Sequence, residues 1–176
     1  MRPSISIRNA RADEFPTIIA VDEDATRRYA TGGLILDLHP EHPFVLAEQG
    51  RWARSLAAGD VFIAEDAARR ANGIAVLARV DGEPYLDQLS VRLESAGQGI
   101  GTALLTRAFE WARERGDRLW LNTYGHLPWN RPFYERRGFV LVEERVWKPE
   151  MRALVEEQRA SLPLPEQRVV MFRPAR

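Results

Sequence analysis

The run Ala96-Gly97-Gln98-Gly99-Ile100-Gly101-Thr102-Ala103-Leu104-Leu105 decides how the rest of the chain reads. It follows an apolar stretch and opens a helix-period pattern, with Leu104, Leu105, Ala108, Phe109 and Ala112 on one face. Successive glycines let backbone N–H groups turn towards one point, and the first helical amides add the positive end of a dipole. Such a loop suits phosphate. The plainer alternative is a turn that only allows tight strand–helix packing. A nucleotide P-loop needs GxxxxGK[ST], but the sole lysine of the chain is Lys148. A dinucleotide fingerprint needs GxGxxG, and its third place falls on Thr102 or Leu104 in the two possible frames.

Upstream of the loop, runs over Asp60–Glu65, Ile74–Val80 and Tyr85–Leu93 predict strands. Asn72-Gly73 and Asp81-Gly82 between them predict hairpin turns. Earlier still, Ser4–Arg8 alternates as a strand, Asp13 stands where a helix cap is expected, and Pro16, Ile18, Ile19 and Val21 follow. A short second helix is expected from Thr26, broken by Thr31-Gly32-Gly33. A third runs from about Pro43 to Ala58, with Val45, Trp52 and Leu56 on one face. Downstream, Leu119–Tyr124 is a strand, so residues 85–124 form a βαβ unit. Asn130 caps a short helix to Arg137, Phe139–Val146 is a strand, Met151–Ala160 is helical, and Arg168–Arg173 is the last strand. The expected fold class is α+β: a mixed, mostly antiparallel sheet with one parallel pair, flanked by helices, in a single domain over 1–176.

Composition narrows the function classes. Lys+Arg and Asp+Glu both number 25 in 176 residues, so bulk charge gives no support to a nucleic-acid partner. The absence of cysteine removes disulfides, thiolate nucleophiles and cysteine-based zinc sites together. No apolar stretch reaches a membrane span, and the opening residues lack a leader's apolar core, so a soluble cytoplasmic protein is expected. His39, Glu41 and His42 do not form a ligand set on one helix face, and no metal is expected.

The glycine run, preceded by Leu89-Ser90-Val91, resembles the acetyl-CoA motif of the GNAT superfamily of N-acetyltransferases. Leu127-Pro-Trp-Asn-Arg-Pro-Phe-Tyr-Glu-Arg-Arg-Gly-Phe139 resembles that family's second signature, FY-xxx-GF. The fuller form WN-x-PFY-xxx-GF resembles a bacterial subgroup whose substrates are mostly unassigned. The resemblance implies that the strands ending at Val91 and Tyr124 splay apart around the pantetheine of acetyl-CoA. Leu89, Ser90 and Val91 would meet that arm, and Gly97, Gln98, Gly99, Ile100, Gly101 and Thr102 would cradle the pyrophosphate, with Asn130 and Tyr134 nearby. Ala96 departs from the pattern, which usually has Arg or Gln there.

Acetyl transfer to a primary amine needs a base to free the nucleophile and an acid for the departing thiolate. An alkylamine with a pKa of about 10 is almost wholly protonated at neutral pH. The resemblance points to Tyr134 as the acid, against a packing role beside Phe133 and Phe139. Asp87 is the base candidate, because strand alternation puts Tyr85, Asp87, Leu89 and Val91 on one face. His126 is a weaker base candidate, and Asp22-Glu23-Asp24 reads either as a solvated face or as an attractor for a cationic amine. The expected function is direct, acetyl-CoA-dependent N-acetylation of a small-molecule or peptide amine. The alternatives are transfer of a larger acyl group and a non-catalytic acyl-CoA-binding module. Pairing into a homodimer is left open.

Overall fold

A computed structural model describes residues 4–176. The described residues form seven strands, β1 (Ser6–Asn9), β2 (Val61–Glu65), β3 (Ala71–Val80), β4 (Glu83–Val91), β5 (Arg118–Tyr124), β6 (Val140–Val142) and β7 (Arg168–Pro174). Five α-helices accompany them: α1 (Phe15–Thr26), α2 (Pro43–Ala57), α3 (Ile100–Arg113), α4 (Arg131–Glu135) and α5 (Pro149–Ser161). The strands make one sheet in the order β1-β2-β3-β4-β5-β7-β6, antiparallel except for β4 and β5. The expected class, a mixed sheet with one parallel pair, is what the chain adopts. No helix among the described residues is long and apolar enough to cross a membrane.

The sheet is covered on both faces, which is why Val61–Ala64 of β2 and Ile74–Ala78 of β3 are apolar without interruption. On one face α3 buries Ile100, Leu104, Leu105, Ala108, Phe109, Trp111 and Ala112 against Phe62, Ala75, Leu77, Leu86, Leu119 and Met171. On the other, Ile18 and Val21 of α1 and Trp52 of α2 pack on Val61, Ile63, Ile74 and Val76. Met151 and Val155 of α5 pack on Tyr85, Trp147 and Val170.

Several local expectations are corrected. Asn72-Gly73 is not a turn but part of β3, paired through Gly73 with Val91. The turn is made earlier by Asp66, whose carboxylate accepts from the amides of Ala68 (2.9 Å) and Arg70 (3.0 Å) and from the Asn72 side chain (3.0 Å). Gly73 is required for a different reason: a Cβ there would lie 2.7 Å from Ile100 Cγ2 and 2.9 Å from Leu104 Cδ1. Asp81-Gly82 does form the expected tight turn, with φ 53° and 77°. Asp13 does not cap α1. Glu14 occupies that position without a side-chain cap, its carboxylate taken by the Arg8 guanidinium and the Arg11 amide. The segment after α1 is a 3-10 helix over Arg27–Gly32. The strand expected over Phe139–Val146 stops at Val142 and gives way to a 3-10 turn over Glu144–Val146.

One irregularity sets the site. Val76 pairs with Gln88 but Leu77 pairs with Leu86, so Asp87 is an extra residue bulged out of β4. The bulge reverses alternation: Leu86 lies in the α3-side core, and Leu89 and Val91 pack against that same cluster, whereas Gln88 and Ser90 bond to Asp22 of α1. Tyr85, Asp87, Leu89 and Val91 therefore do not share a face, contrary to strict period two.

Gly73→Ala should lower stability by about 1–3 kcal/mol through overpacking under the first turn of α3. Urea denaturation checks it, and a loss below 0.5 kcal/mol, on the order of an ordinary surface change, would show that α3 can move aside.

Candidate active site

The register ladder of β4 and β5 holds a single pair, Tyr85 with Trp120. Beyond it the strands part, so the β5-facing edge of β4 from Asp87 to Val91 has no strand partner. Two cavities open there, of about 460 and 500 Å³. The first lies under α1, α2 and the loop after Gly33, and is walled by Leu34, Phe44, Trp52, Leu121, Tyr124 and Arg168 among others. The second runs along Leu89, Ser90 and Val91 to the glycine loop and α4. They meet where Asp22, Tyr29, Leu89, Asn130 and Tyr134 line both.

The glycine loop bends as its sequence asks. Gly97 and Gly99 have φ of 77° and 86°, and Gly99 is the N-cap of α3, whose first amides are left free of intrahelical partners. A Cβ on either glycine would meet no atom within 4 Å, so the concave side is open to a ligand. Arg136 and Arg137 of the α4 C-terminus line the same cavity. Arg137 donates to Thr102 Oγ1 (2.5 Å) and to the Phe133 carbonyl (2.9 Å), and its guanidinium stacks 3.7 Å above the Phe133 ring. Burial and the neighbouring Arg136 charge pull its pKa below the usual value, and no carboxylate among the described residues lies within ion-pair reach of it. A loop amide cradle beside two arginines fits a pyrophosphate.

The junction carries acid and base groups. Asp22 Oδ1 accepts from Ser90 Oγ (2.7 Å) and Gln88 Nε2 (2.8 Å). Burial nevertheless pushes its pKa up to about 6, the hydrogen bonds and the Glu23 charge being lesser influences. Glu48 of α2, in the first cavity, is pushed up to about 8 by burial and by the Asp22 and Asp87 charges. Tyr134 is 9% exposed, stacked edge-on against Phe133 and Phe139 at 5.2 and 5.4 Å, with its phenol held firmly protonated by burial. Its hydroxyl bonds to no described residue. Tyr29 is likewise held protonated by burial.

Of the residues singled out from sequence, Leu89, Ser90, Val91, Gly97, Gly99, Gly101, Thr102, Asn130 and Tyr134 line the second cavity. Gln98 turns its amide back to the Glu94 carbonyl (3.2 Å), and the Ile100 side chain is buried in the core, so each offers only backbone. Asn130 precedes α4 but makes no side-chain cap. Its amide nitrogen is buried without a partner at the cavity junction. Asp87 lines the first cavity, but its carboxylate is gripped by Arg51 Nε and Nη2 (3.0 and 3.1 Å) and is 2% exposed. His126 is exposed, edge-on to Tyr124 at 5.7 Å, and lines neither cavity. His39 and His42 each accept a nearby backbone amide, and no group of three potential metal ligands occurs among the described residues. Asp22, Glu48 and Arg168 were not singled out as site residues. Only Asp22 had a signal, its place in Asp22-Glu23-Asp24.

Comparison with known proteins agrees with this geometry. Residues 57–141 match the family model described as Acetyltransferase (GNAT) domain. A GNAT-family acetyltransferase from Staphylococcus aureus Mu50 superposes with a TM-score of 0.71 at 16% identity, over 98% of this chain and 100% of that one. The PaiA N-acetyltransferase of Thermoplasma acidophilum, solved with coenzyme A, gives 0.68 at 15% identity, over 97% and 99%. N-acetylglutamate synthase of Neisseria gonorrhoeae, solved with coenzyme A and N-acetyl-glutamate, gives 0.68 at 18% identity, over 100% of this chain but 36% of that one.

A carboxyl whose pKa is higher folded than unfolded weakens the fold as pH rises. Asp22 thus subtracts stability above pH 6, and subtracts progressively less as pH falls towards 4. Asp22→Asn keeps the acceptor oxygen for Ser90 and Gln88. It should raise stability by about 1–3 kcal/mol at pH 8 and change it little at pH 4. Guanidinium denaturation at both pH values checks this; an equal effect at both would mean that Asp22 titrates normally.

Proposed function

We propose that the chain, whose residues 57–141 match the GNAT acetyltransferase domain, moves acetyl from acetyl-CoA directly to a primary amine seated in the first cavity. The observation that carries this reading is the meeting of the two cavities at Asp22 and Tyr134. The second cavity takes the cosubstrate: the α3 amides and Arg137 hold the pyrophosphate, and the unpaired edge of β4 at Leu89–Val91 holds the pantetheine arm. The coenzyme A complexes of the fold neighbours support that cosubstrate. Acetyl-CoA supplies an acetyl group already activated as a thioester.

Asp22 takes one proton from the ammonium form of the acceptor, which frees its lone pair. With a pKa of about 6 it is ionised at neutral pH, yet far more basic than an ordinary aspartate. As the nitrogen–carbonyl bond forms and the carbon–sulfur bond breaks, Tyr134 gives its phenolic proton to the departing sulfur. Tyr134 is restored by the second proton that the nitrogen sheds in becoming an amide. The products are the N-acetyl amide, free coenzyme A and one proton released to solvent. Asp87 acts as a positioning residue, fixing Arg51 and through it α2 over the cavity.

In an assay limited by chemistry, kcat/KM of the wild type should rise with pH through about 6, as Asp22 loses its proton. Glu48, facing the same cavity, would add an inflexion near 8. Asp22→Asn should lower kcat by about 10²–10⁴ and remove the limb near pH 6, while Tyr134→Phe should lower kcat by a similar factor with that limb kept. A limb near 6 that survives Asp22→Asn assigns the base elsewhere. Wild-type kcat in Tyr134→Phe confines that residue to packing.

Arg137 also compensates for Ala96, where a charged or amide side chain would be usual. Arg137→Gln should raise KM for acetyl-CoA by about 10-fold or more, and affect kcat less, through loss of a charge-assisted contact to phosphate. Unchanged KM across a range of salt concentrations would leave Arg137 only its stacking on Phe133.

A further inference from the structure

We propose that the acceptor is a small primary amine that also carries a carboxylate, bound by the Arg168 guanidinium in the β5–β7 wall of the first cavity; this rests on the acetyl-transfer reading above. Arg168 opens β7 opposite Tyr124 and lines the cavity. Its Nη2 donates to two neutral side-chain oxygens, Asn122 Oδ1 and Gln158 Oε1, the latter at 2.8 Å. Its Nη1 bonds to no described residue, and its Nε is buried without a partner. The guanidinium lies 4.7 Å over the Tyr124 ring, which orients it without neutralising it.

A cation set in a cavity wall and held only by neutral groups is unusual, since buried charges are normally paired. Every other candidate counter-charge near it is committed or absent. Asp87 belongs to Arg51. Glu48, whose charge reaches Arg168, is held protonated at neutral pH by its own burial. The remaining groups acting on Arg168 are the phenols of Tyr29, Tyr85 and Tyr124, of which Tyr85 already accepts from Asn122 (2.6 Å). Arg27, the other arginine of the cavity wall, is exposed and paired with Asp24 at 3.2 Å. The Nη1 donors of Arg168 are therefore free for an anion, and a carboxylate oxygen can accept from them while Asn122 and Gln158 hold Nη2.

The same cavity presents the opposite charge at its other functional point. Asp22 stands at the junction with the cosubstrate groove, so a cationic amine is drawn there while a carboxylate is drawn to Arg168. Between them the wall is apolar, with Leu34, Phe44, Trp52 and Leu121, and the volume of about 460 Å³ admits a molecule of amino-acid size. An amine with a carboxylate and an apolar body satisfies all three surfaces at once.

The experiment is release of free thiol from acetyl-CoA at pH 7.5, with three matched sets of acceptors. These are α-, β- and γ-amino acids with apolar bodies, the corresponding carboxamides, and the corresponding simple amines. Dipeptides of the same residues separate a free amino acid from a peptide terminus. At least one carboxylate-bearing amine should exceed its carboxamide by about 10- to 100-fold in kcat/KM, chiefly through KM. Arg168→Gln should collapse that ratio towards one, and Arg168→Lys should retain part of it. Equal or better use of carboxamides and simple amines by the wild type overturns the inference while leaving acetyl transfer intact. Absence of turnover with every carboxylate-bearing amine, although acetyl-CoA binds by calorimetry, overturns it too. If acetyl-CoA itself does not bind to the folded protein, the transfer reading falls and the inference with it.

Discussion

The site depends on the failure of β4 to stay paired with β5. A sheet edge inside a protein leaves backbone donors and acceptors that must find partners. Here the parting after Tyr85 and Trp120 exposes that edge within the fold, where solvent or a linear ligand with amide groups completes it. The bulge at Asp87 makes the parting consistent with a packed core. It turns Leu89 and Val91 towards the α3-side cluster and sends Gln88 and Ser90 to meet α1. Without the extra residue those side chains would exchange faces. Gln88 and Ser90 would then point into apolar surroundings, and Asp22 would lose both of its donors.

Charge in the first cavity is arranged rather than merely present. Arg51 and Asp87 cancel each other in a two-bond pair, although burial opposes both charges. Once that pair and the exposed Glu23 and Arg27 are set aside, Asp22, Glu48 and Arg168 remain, and the first two repel each other's ionised forms. Burial keeps Glu48 neutral up to about pH 8, so at neutral pH these three contribute one carboxylate and one guanidinium. Neighbouring carboxyls whose environments separate their pKa values in this way divide roles between proton acceptor and neutral hydrogen-bond donor.

How far the sequence disclosed this follows from which forces are local. The glycine loop, α3 and the Asp81-Gly82 turn were legible because backbone conformation there is dictated by residues a few positions apart. Asn72-Gly73 misled for the same reason: the dipeptide fits a turn, but Asp66 closes the chain earlier and Gly73 answers to Ile100, 27 residues on. Asp87 was assigned to the face of Leu89 because period two hides a bulge, whose only signature is pairing with a distant strand. Tyr134 and the loop residues stand in motifs, and the second cavity runs past them. Glu48 and Arg168 lie on α2 and β7, more than 100 residues apart in the chain, and nothing near either one marks it. Asp22 was noticed only as one member of an acidic run. The fold separates that run: Asp24 accepts the Leu93 amide at 2.9 Å, Glu23 is exposed, and Asp22 turns inward.

The division of one cleft into two cavities leaves the same few residues lining both. Asp22 is bonded to Ser90, which belongs to the strand edge along the second cavity, and it also lines the first, its second oxygen unbonded to any described residue. Any displacement of β4 on filling the groove is therefore passed to the Asp22 carboxylate through a 2.7 Å bond. Removing water from the groove has a further effect. It deepens the burial that already raises the Asp22 pKa, which under the proposed transfer strengthens the base when the thioester is in place. Tyr134, fixed between Phe133 and Phe139, has no comparable freedom. Under the proposed transfer, Tyr134 is thus a rigid acid and Asp22 a responsive base, an asymmetry set by one aromatic stack and one strand bulge.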